Sequence, residues 1–514
     1  MGIYMQIFAN RDEWTPPVSH TMSKPAIFSI VTLFCTILIL VGCKSQRTAQ
    51  SPSDGPQSST ILPKDFTAQE ADKLLADEAK ADSGRNVSPN YEIRSTELGH
   101  DIDQFLKNSP VFSSHFTGFS LYDLAADEFL VNHHADMYFT PASNVKILTL
   151  YAVLRSFGKQ LPTALYYDAS DTLYIRPIGD PTFLHPDFRT QPLQSMLRNT
   201  LKPVVILWPQ AELPSFGIGW MWDDYNTGYQ PELSWMPIYG NVARFSYTRS
   251  KITAVPPLFE DLIEVTKGNG NENTNTIRRA FGYNHFEAEI RYPNWSFEKS
   301  IPFKYSESLA AQLLKEQTIN TVSIKTDRKL RFDTLYTMPI DTVLRLMMQE
   351  SDNLLSEQLL IMAAWKNGFD NSEAFREYMT ARWLPDIDPV WMDGSGLSRY
   401  NLIRPVDKVK LLTKLYHEFG WARIHNLFAH GGVSGTLKNW YPNRPDPNNP
   451  EAPVVPYVIA KTGTLANNHS LSGYLQTRSG KLLVFSFMNN NFVRSTSEVR
   501  REMQTLLEKI RDAY

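Results

Sequence analysis

Three short motifs carry residue types able to cleave an amide by nucleophilic attack. Ser143 and Lys146 stand three apart in TPASNVK, Thr140 to Lys146. On a helix that spacing puts both side chains on one face about one turn apart, so the lysine reaches the serine hydroxyl. A hydroxyl becomes a useful nucleophile when a neighbouring base takes its proton, and a lysine is a base only when neutral. The same spacing recurs at Ser156 and Lys159, and position separates the copies. Ser143 falls at a helix start, where free backbone N–H groups and the positive end of the dipole favour developing negative charge. Ser156 and Lys159 flank Gly158, where the helix is expected to stop. Downstream lie Ser351-Asp352-Asn353 and the only Lys-Thr-Gly of the chain, Lys461-Thr462-Gly463.

S-x-x-K, S-D-N and K-T-G in this order are the set of the penicillin-recognising serine enzymes. The flanks sharpen the match: TPASNVKILT, SDNLLSEQLL, DGSGLSRYNL from Asp393, GGVSGTLKNW from Gly431 and AKTGTLANNHSLSGYL from Ala460. From about Tyr91 to the C-terminus the chain resembles the type-4, class C penicillin-binding proteins, D-alanyl-D-alanine carboxypeptidases and endopeptidases. The resemblance implies peptidoglycan stem peptides as substrate and β-lactams as covalent inhibitors. It also implies an α+β fold like that of the transpeptidase domains and serine β-lactamases, an antiparallel sheet with helices on both sides. No cofactor or metal is expected, and no H-E-x-x-H is present. His133 and His134 are expected as exposed polar residues.

Amide hydrolysis through an acyl-enzyme needs a nucleophile, a base, an oxyanion site and a grip on the substrate. Ser143 would attack the carbonyl between two D-alanines, and Lys146 would take its proton. A lysine titrates near 10.4 in water, so burial and a second cation, Lys461, must lower it. Lys461, backed by Thr462, would stay charged and hold the terminal carboxylate. Ser351 would relay a proton to the leaving amine, and Asn353 would bond the substrate amide. Gly463 would keep its strand bare where the substrate lies as an added strand. By resemblance, the oxyanion hole is formed by the N–H groups of Ser143 and Thr464. Ile178-Gly179-Asp180-Pro181-Thr182 and Gly219-Trp220-Met221-Trp222-Asp223-Asp224 match further family segments. Asp180 and Arg399 are the expected readers of the stem peptide's third residue.

Two rivals share these motifs. A serine β-lactamase adds a glutamate that activates the deacylating water. Gln230-Pro231-Glu232-Leu233-Ser234 imitates that segment, but it has Gln230 at the catalytic position and precedes S-D-N. A non-catalytic penicillin-binding sensor would show erosion of one motif, and all three are intact.

The elements that position these residues follow from periodicity. Thr140 to Gly158 is apolar nearly all round, the pattern of a helix enclosed by protein. Helices are also expected at 98–106, 306–317, 339–350, 354–366 and 496–513, that at 306–317 leading back to the main domain. Strands fall at 115–123, 129–132, 454–464, 471–476 and 481–488, giving five in the catalytic sheet. About 190 residues separate the nucleophile helix from S-D-N. The expected domains are therefore a peptidase body of 91–160 and 300–514, interrupted by a β-rich insertion at 161–299 with strands at 172–177, 203–208, 243–247, 252–255, 276–281 and 285–291.

At 514 residues, 42% hydrophobic and with net charge −3, the chain can bury several cores and has no basic excess for nucleic acid. Its two cysteines, Cys35 and Cys43, lie in or at the end of the apolar run Ala26 to Val41. Sixteen residues suit a signal-peptide core better than a membrane span. The run ends in Leu40-Val41-Gly42-Cys43, which looks like a bacterial lipobox, so residues 1–43 read as a signal peptide with lipidation at Cys43. Acidic Asp12 and Glu13 make Met22 the better start. Residues 44–90, rich in Ser, Gln, Asp and Ala, read as a tether with one short helix at 67–81. The expected location is periplasmic, anchored to a membrane as a lipoprotein. Replacing Cys43→Ala is expected to abolish palmitate labelling and release the protein from membranes; unchanged labelling would remove the anchor.

Overall fold

The computed structural model describes residues 97–268, 274–326, 328–443 and 455–514. The signal segment, Cys43 and the tether with its short helix lie outside them. The chain opens with α1 (Glu97–Asn108), β1 (Phe116–Asp123) and β2 (Glu128–His133). A 3-10 turn, Ala142–Val145, then runs into α2 (Lys146–Ser156). Every residue from Lys146 to Leu154 is buried, as expected of a helix with no polar face.

The chain then builds β3 (Gln160–Asp168), β4 (Leu173–Pro177), α3 (Pro192–Asn199), β5 (Val204–Trp208), β6 (Val242–Thr248), β7 (Lys251–Val255), β8 (Ile263–Lys267), β9 (Thr276–Arg279), β10 (Phe286–Ile290), β11 (Phe297–Pro302), α4 (Glu307–Lys315), β12 (Val322–Thr326) and β13 (Asp333–Pro339). A mixed sheet has the order β12-β5-β4-β3-β13, and β11-β6-β7 and β8-β10-β9 form two smaller sheets. Their shared core runs from Ala164 to Val322. Helix α4 does not lead back to the main body as expected: Leu309, Leu313 and Leu314 pack in this second core. Its apolar stripe finds its partner there because β12, which follows, extends the sheet parallel to β5.

Next come α5 (Ile340–Gln349), α6 (Asn353–Lys366), α7 (Ser372–Trp383), α8 (Pro405–Phe419), α9 (Trp421–Leu427), β14 (Ala429–His430), β15 (Val458–Leu465), β16 (Asn468–Gln476), β17 (Leu482–Asn490) and α10 (Thr496–Ala513). The main sheet has six strands, β14-β15-β16-β17-β1-β2, the sixth being the two-residue β14. Its central strands are buried on both faces. Ile459, Val484 and Met488 point into a core made with α2, α5, α6 and α8, whereas Val458, Ala460, Phe485 and Phe487 point into a core with α1 and α10. This alternation is the two-residue period of a strand. It puts Lys461 and Gly463, in step with Ile459, on the face that meets α2.

Some elements escaped the pattern. Strand β3 carries Pro162, which argues against a ladder strand, and the pairing with β13 shifts register around it. Helix α7 buries only Phe375, Arg376 and Met379, so its sequence lacks an apolar stripe. His133 is buried rather than exposed, with Nδ1 bonded at 2.8 Å to Asp103 Oδ1. Among the described residues no helix is long and apolar enough to cross a membrane. Helices α2 and α6 pack in one core through side chains such as Leu148, Leu150 and Leu359. Leu359→Ala is expected to cost about 3 kcal/mol of unfolding free energy, read from denaturant titration; a loss below about 1 kcal/mol would mean this packing is not tight.

Candidate active site

Ser143, the candidate nucleophile, sits on a turn pressed between two backbones. Ala142, just before Ser143, has φ +49°, and Ser351 has φ +63°, backbone conformations that non-glycine residues adopt at a cost. Gly396 has φ +87°, and a Cβ there would overlap Ala142 O and stand 2.9 Å from Ser143 N. A Cβ on Gly463 would overlap Pro141 O and stand 2.9 Å from Asn144 N. Gly463 is thus bare because the nucleophile turn, rather than the substrate, lies against that face. Asn144 locks the contact: its Nδ2 donates to Lys461 O at 3.0 Å and Ser470 O at 3.3 Å.

Lys146 is fully buried and its Nζ donates to Ser143 Oγ at 3.1 Å, Asn353 Oδ1 at 2.6 Å and Ser395 O at 2.6 Å. Three acceptors satisfy an ammonium. A neutral amine has two N–H bonds for Asn353 and Ser395, which leaves its lone pair directed at the Ser143 hydroxyl. Burial lowers this lysine to about 8, against the upward pull of Glu357, Asp393 and Asp352. Asp352 supplies the N-cap of α6, accepting from Leu355 N–H at 2.8 Å, so S-D-N is a helix start. Asn353 differs from expectation. Its carbonyl is taken by Lys146, and its Nδ2 donates to Tyr229 O at 2.9 Å, which leaves one N–H for a substrate.

Lys461 Nζ donates to Ser351 Oγ at 2.9 Å and to Thr462 O at 2.8 Å. Burial, then the proximity of Lys146, pushes it well below the usual lysine range. The expectation that Lys461 stays charged while Lys146 alone is depressed does not describe this arrangement, in which both are lowered. Lys146 has three carboxylates to support its charge, and among the described residues no carboxylate supports that of Lys461. The Thr462 hydroxyl is 2.8 Å from that of Thr436, and the Thr464 hydroxyl is 2.8 Å from His469 Nδ1. Strand β14 pairs only with Ala460 and Ile459, so among the described residues Lys461 to Leu465 have a strand neighbour on the β16 side alone.

Arg399 is near this edge, with Nη1 3.5 Å from Ala466 O. Asp180 is not exposed to it. Its carboxyl is buried, bonded to the Thr163 hydroxyl, to Thr182 N–H at 2.9 Å and to the Thr182 hydroxyl at 2.9 Å, and burial raises it to about 6. Those bonds make it a turn-forming group. Ser156 bonds Ala152 O at 2.7 Å and accepts from Asn367, so the second S-x-x-K is structural. Glu232 belongs to the second core, beside Arg279 at 3.8 Å and Lys304 at 3.3 Å.

Sequence reasoning missed the loop behind Lys146. Glu357 and Asp393 accept from its backbone, and Trp220 Nε1 donates to Asp393 Oδ2 at 2.9 Å. The available signal was a glutamate four residues after Asn353 and the acid that opens DGSG.

Comparison with known proteins adds the lineage. A sequence model of the D-Ala-D-Ala carboxypeptidase 3 (S13) family matches residues 98–512. Over 183 residues the chain is 26% identical to D-alanyl-D-alanine carboxypeptidase DacB of Haemophilus influenzae; the match covers 34% of this chain and 37% of that relative. The crystal structure of penicillin binding protein 4 (dacB) from Haemophilus influenzae aligns with a TM-score of 0.64 at 18% identity, covering 81% of this chain and 98% of that one. Its complex with a novel β-lactam aligns at 0.60 and 17% identity, over 81% and 100%. The fold is therefore the α+β penicillin-binding-protein fold with additional sheets. Since the family match spans most of the chain, from the first described helix to the last, this protein belongs to the D-Ala-D-Ala carboxypeptidase 3 (S13) family.

Proposed function

We propose that the chain is a serine D-Ala-D-Ala carboxypeptidase and endopeptidase that cuts peptidoglycan stem peptides through an acyl-enzyme at Ser143. The observation that carries this is a buried Lys146 whose two other acceptors leave a lone pair for the Ser143 hydroxyl. Ser143 Oγ attacks the carbonyl between two D-alanines as Lys146 takes its proton. The tetrahedral oxyanion sits against the N–H groups of Ser143 and Thr464. Ser351 passes a proton to the leaving D-alanine amine, and water then releases the acyl group as a carboxylic acid. The substrate lies along the edge of β15, with its carboxylate at Lys461 and Thr462. That carboxylate is the counter-charge Lys461 lacks, so its arrival returns Lys461 to the ammonium form. Arg399, beside the strand turn, is placed to meet a second carboxylate of the stem peptide.

A β-lactam presents the same acyl and carboxylate groups, and the relative's complex supports its fit. The look-alike segment gives the β-lactamase reading no support, because its one acid, Glu232, is engaged by Arg279, Lys304 and Tyr305 N–H. The division into a peptidase body and an inserted module belongs to the same proposal and is supported by their separate cores. So do the lipid anchor at Cys43 and the periplasmic location, which suit a cell-wall substrate.

Fluorescent penicillin is expected to label the chain and its Ser156→Ala variant but not Ser143→Ala. The unaltered protein is expected to release D-alanine from a pentapeptide and to turn over nitrocefin poorly. Fast sustained nitrocefin turnover without D-alanine release would favour the lactamase, and penicillin binding with neither activity would favour the sensor.

The acylation rate carries a pH signature. Lys146 acts when neutral and titrates at about 8, so the rate is expected to rise as pH increases through that point, about tenfold per unit well below it, and then to level. The check is the rate of penicillin acylation from about pH 6 to 9. A rate flat or falling over that range would rule out Lys146 as the base.

A further inference from the structure

The scheme above leaves Glu357 without a task, although its carboxyl is buried beside the reacting lysine. Glu357 follows Asn353 by four residues on α6, so the two share one face of the helix. Asn353 accepts from Lys146 directly. Glu357 reaches the loop instead: Oε1 accepts from Ser395 N–H at 2.7 Å and Oε2 from Gly394 N–H at 3.0 Å. The next peptide group is the one Lys146 uses. Its carbonyl, Ser395 O, accepts from Nζ at 2.6 Å, and its N–H, on Gly396, donates to Asp393 Oδ1 at 2.8 Å. Asp393 is held by Ser398 N–H at 2.6 Å, Asn401 Nδ2 at 2.8 Å and Trp220 Nε1 at 2.9 Å. Two carboxyl groups therefore grip three successive peptide groups from behind, and the third presents its carbonyl to the base.

We propose that Glu357 is a positioning residue for the general base: through the Gly394 and Ser395 amides it holds Ser395 O on Lys146, and its negative charge tunes how readily that lysine gives up its proton. The proposal rests on the reading of Lys146 as the base.

The sign follows from electrostatics. An anion near a lysine favours the ammonium and raises its proton affinity, whereas burial does the opposite. Burial is the larger influence on Lys146, and Glu357 is the foremost of the anions that oppose it, ahead of Asp393 and Asp352. The charged groups around Glu357 are Lys146 on α2, Asp393 on the loop and Arg376 on α7, whose Nε donates to Trp391 O at 2.9 Å. Lys461 lies beyond Lys146 and is held down by it. Burial, then Asp393, raises Glu357 itself to about 7. Removing its charge makes Lys146 neutral at lower pH but a weaker base, because Brønsted behaviour favours a base matched to the working pH.

The test is the pH profile of penicillin acylation for the full chain with Glu357→Gln and Glu357→Asp. Glu357→Gln is expected to shift the rising limb to lower pH by about one unit. Glu357→Asp, which retains the charge but withdraws it by one methylene, is expected to slow acylation while keeping the limb near its original place. A purely structural Glu357 would lower the rate at every pH with the limb unmoved in both variants, and that result overturns the proposal; so does an equal shift in both. If Glu357→Gln does not fold, Asp393→Asn removes a charge that acts on Lys146 in the same sense. An unmoved limb there also overturns the proposal. Ser143→Ala in the same assay keeps the two questions apart: persistent labelling refutes the acyl-enzyme reading, whereas an unmoved limb with normal dependence on Ser143 refutes only the role of Glu357.

Discussion

The site depends on one buried amino group. Putting the Lys146 side chain in a fully enclosed position is costly for an ammonium, and the protein meets that cost with three acceptors and a ring of carboxyl groups rather than with water. Each acceptor comes from a different part of the chain: Ser143 from the turn before α2, Asn353 from the start of α6, Ser395 from the loop that precedes α8. Any drift of α2 against α6 would open this arrangement, and their common core makes them one rigid body at this point.

The second core is more than a flank. Both of the lysine's fixed acceptors are supported from the segment between β5 and β6: Tyr229 O takes the other end of the Asn353 amide, and the Trp220 indole feeds the carboxylate that braces the Ser395 loop. The segment between two strands of the second module thus reaches the surroundings of Lys146 through two hydrogen bonds. A substrate that displaced either Trp220 or Tyr229 would be felt at the base.

The two lysines are treated differently by their surroundings, and this asymmetry suits a site that must wait for an anionic ligand. Lys146 keeps a proton affinity near neutrality because anions surround it. Lys461, on the same face of β15 as Ile459 and Gly463, has among the described residues only oxygen dipoles, so in the proposed reaction its charge is stabilised mainly when the substrate carboxylate arrives. A second permanent cation close to Lys146 would otherwise depress the base further.

Much of this was legible in the primary structure because the chemistry imposes short spacings. A serine and lysine three apart on a helix, Ser351-Asp352-Asn353 between two helices and a strand carrying Lys461 each follow from local rules, and most elements of the main sheet follow from two-residue and 3.6-residue periods. What local rules could not supply was which groups face one another across the cores. Gly463 looked like space for a substrate, and only the approach of the turn at Pro141 shows what fills it. Asp180 looked like a substrate reader, yet Thr163 and Thr182 consume its oxygens. Glu357 passed as one polar residue in an apolar helix until the loop at Gly394 was brought beneath it. Strand β3 was hidden by Pro162, and α4 could have packed on either core. The identities of the candidate reacting groups are written in the chain because reactivity belongs to side chains. The proton affinities of Lys146 and Lys461 were decided by the tertiary structure alone, because they depend on burial and on charges hundreds of residues away in sequence.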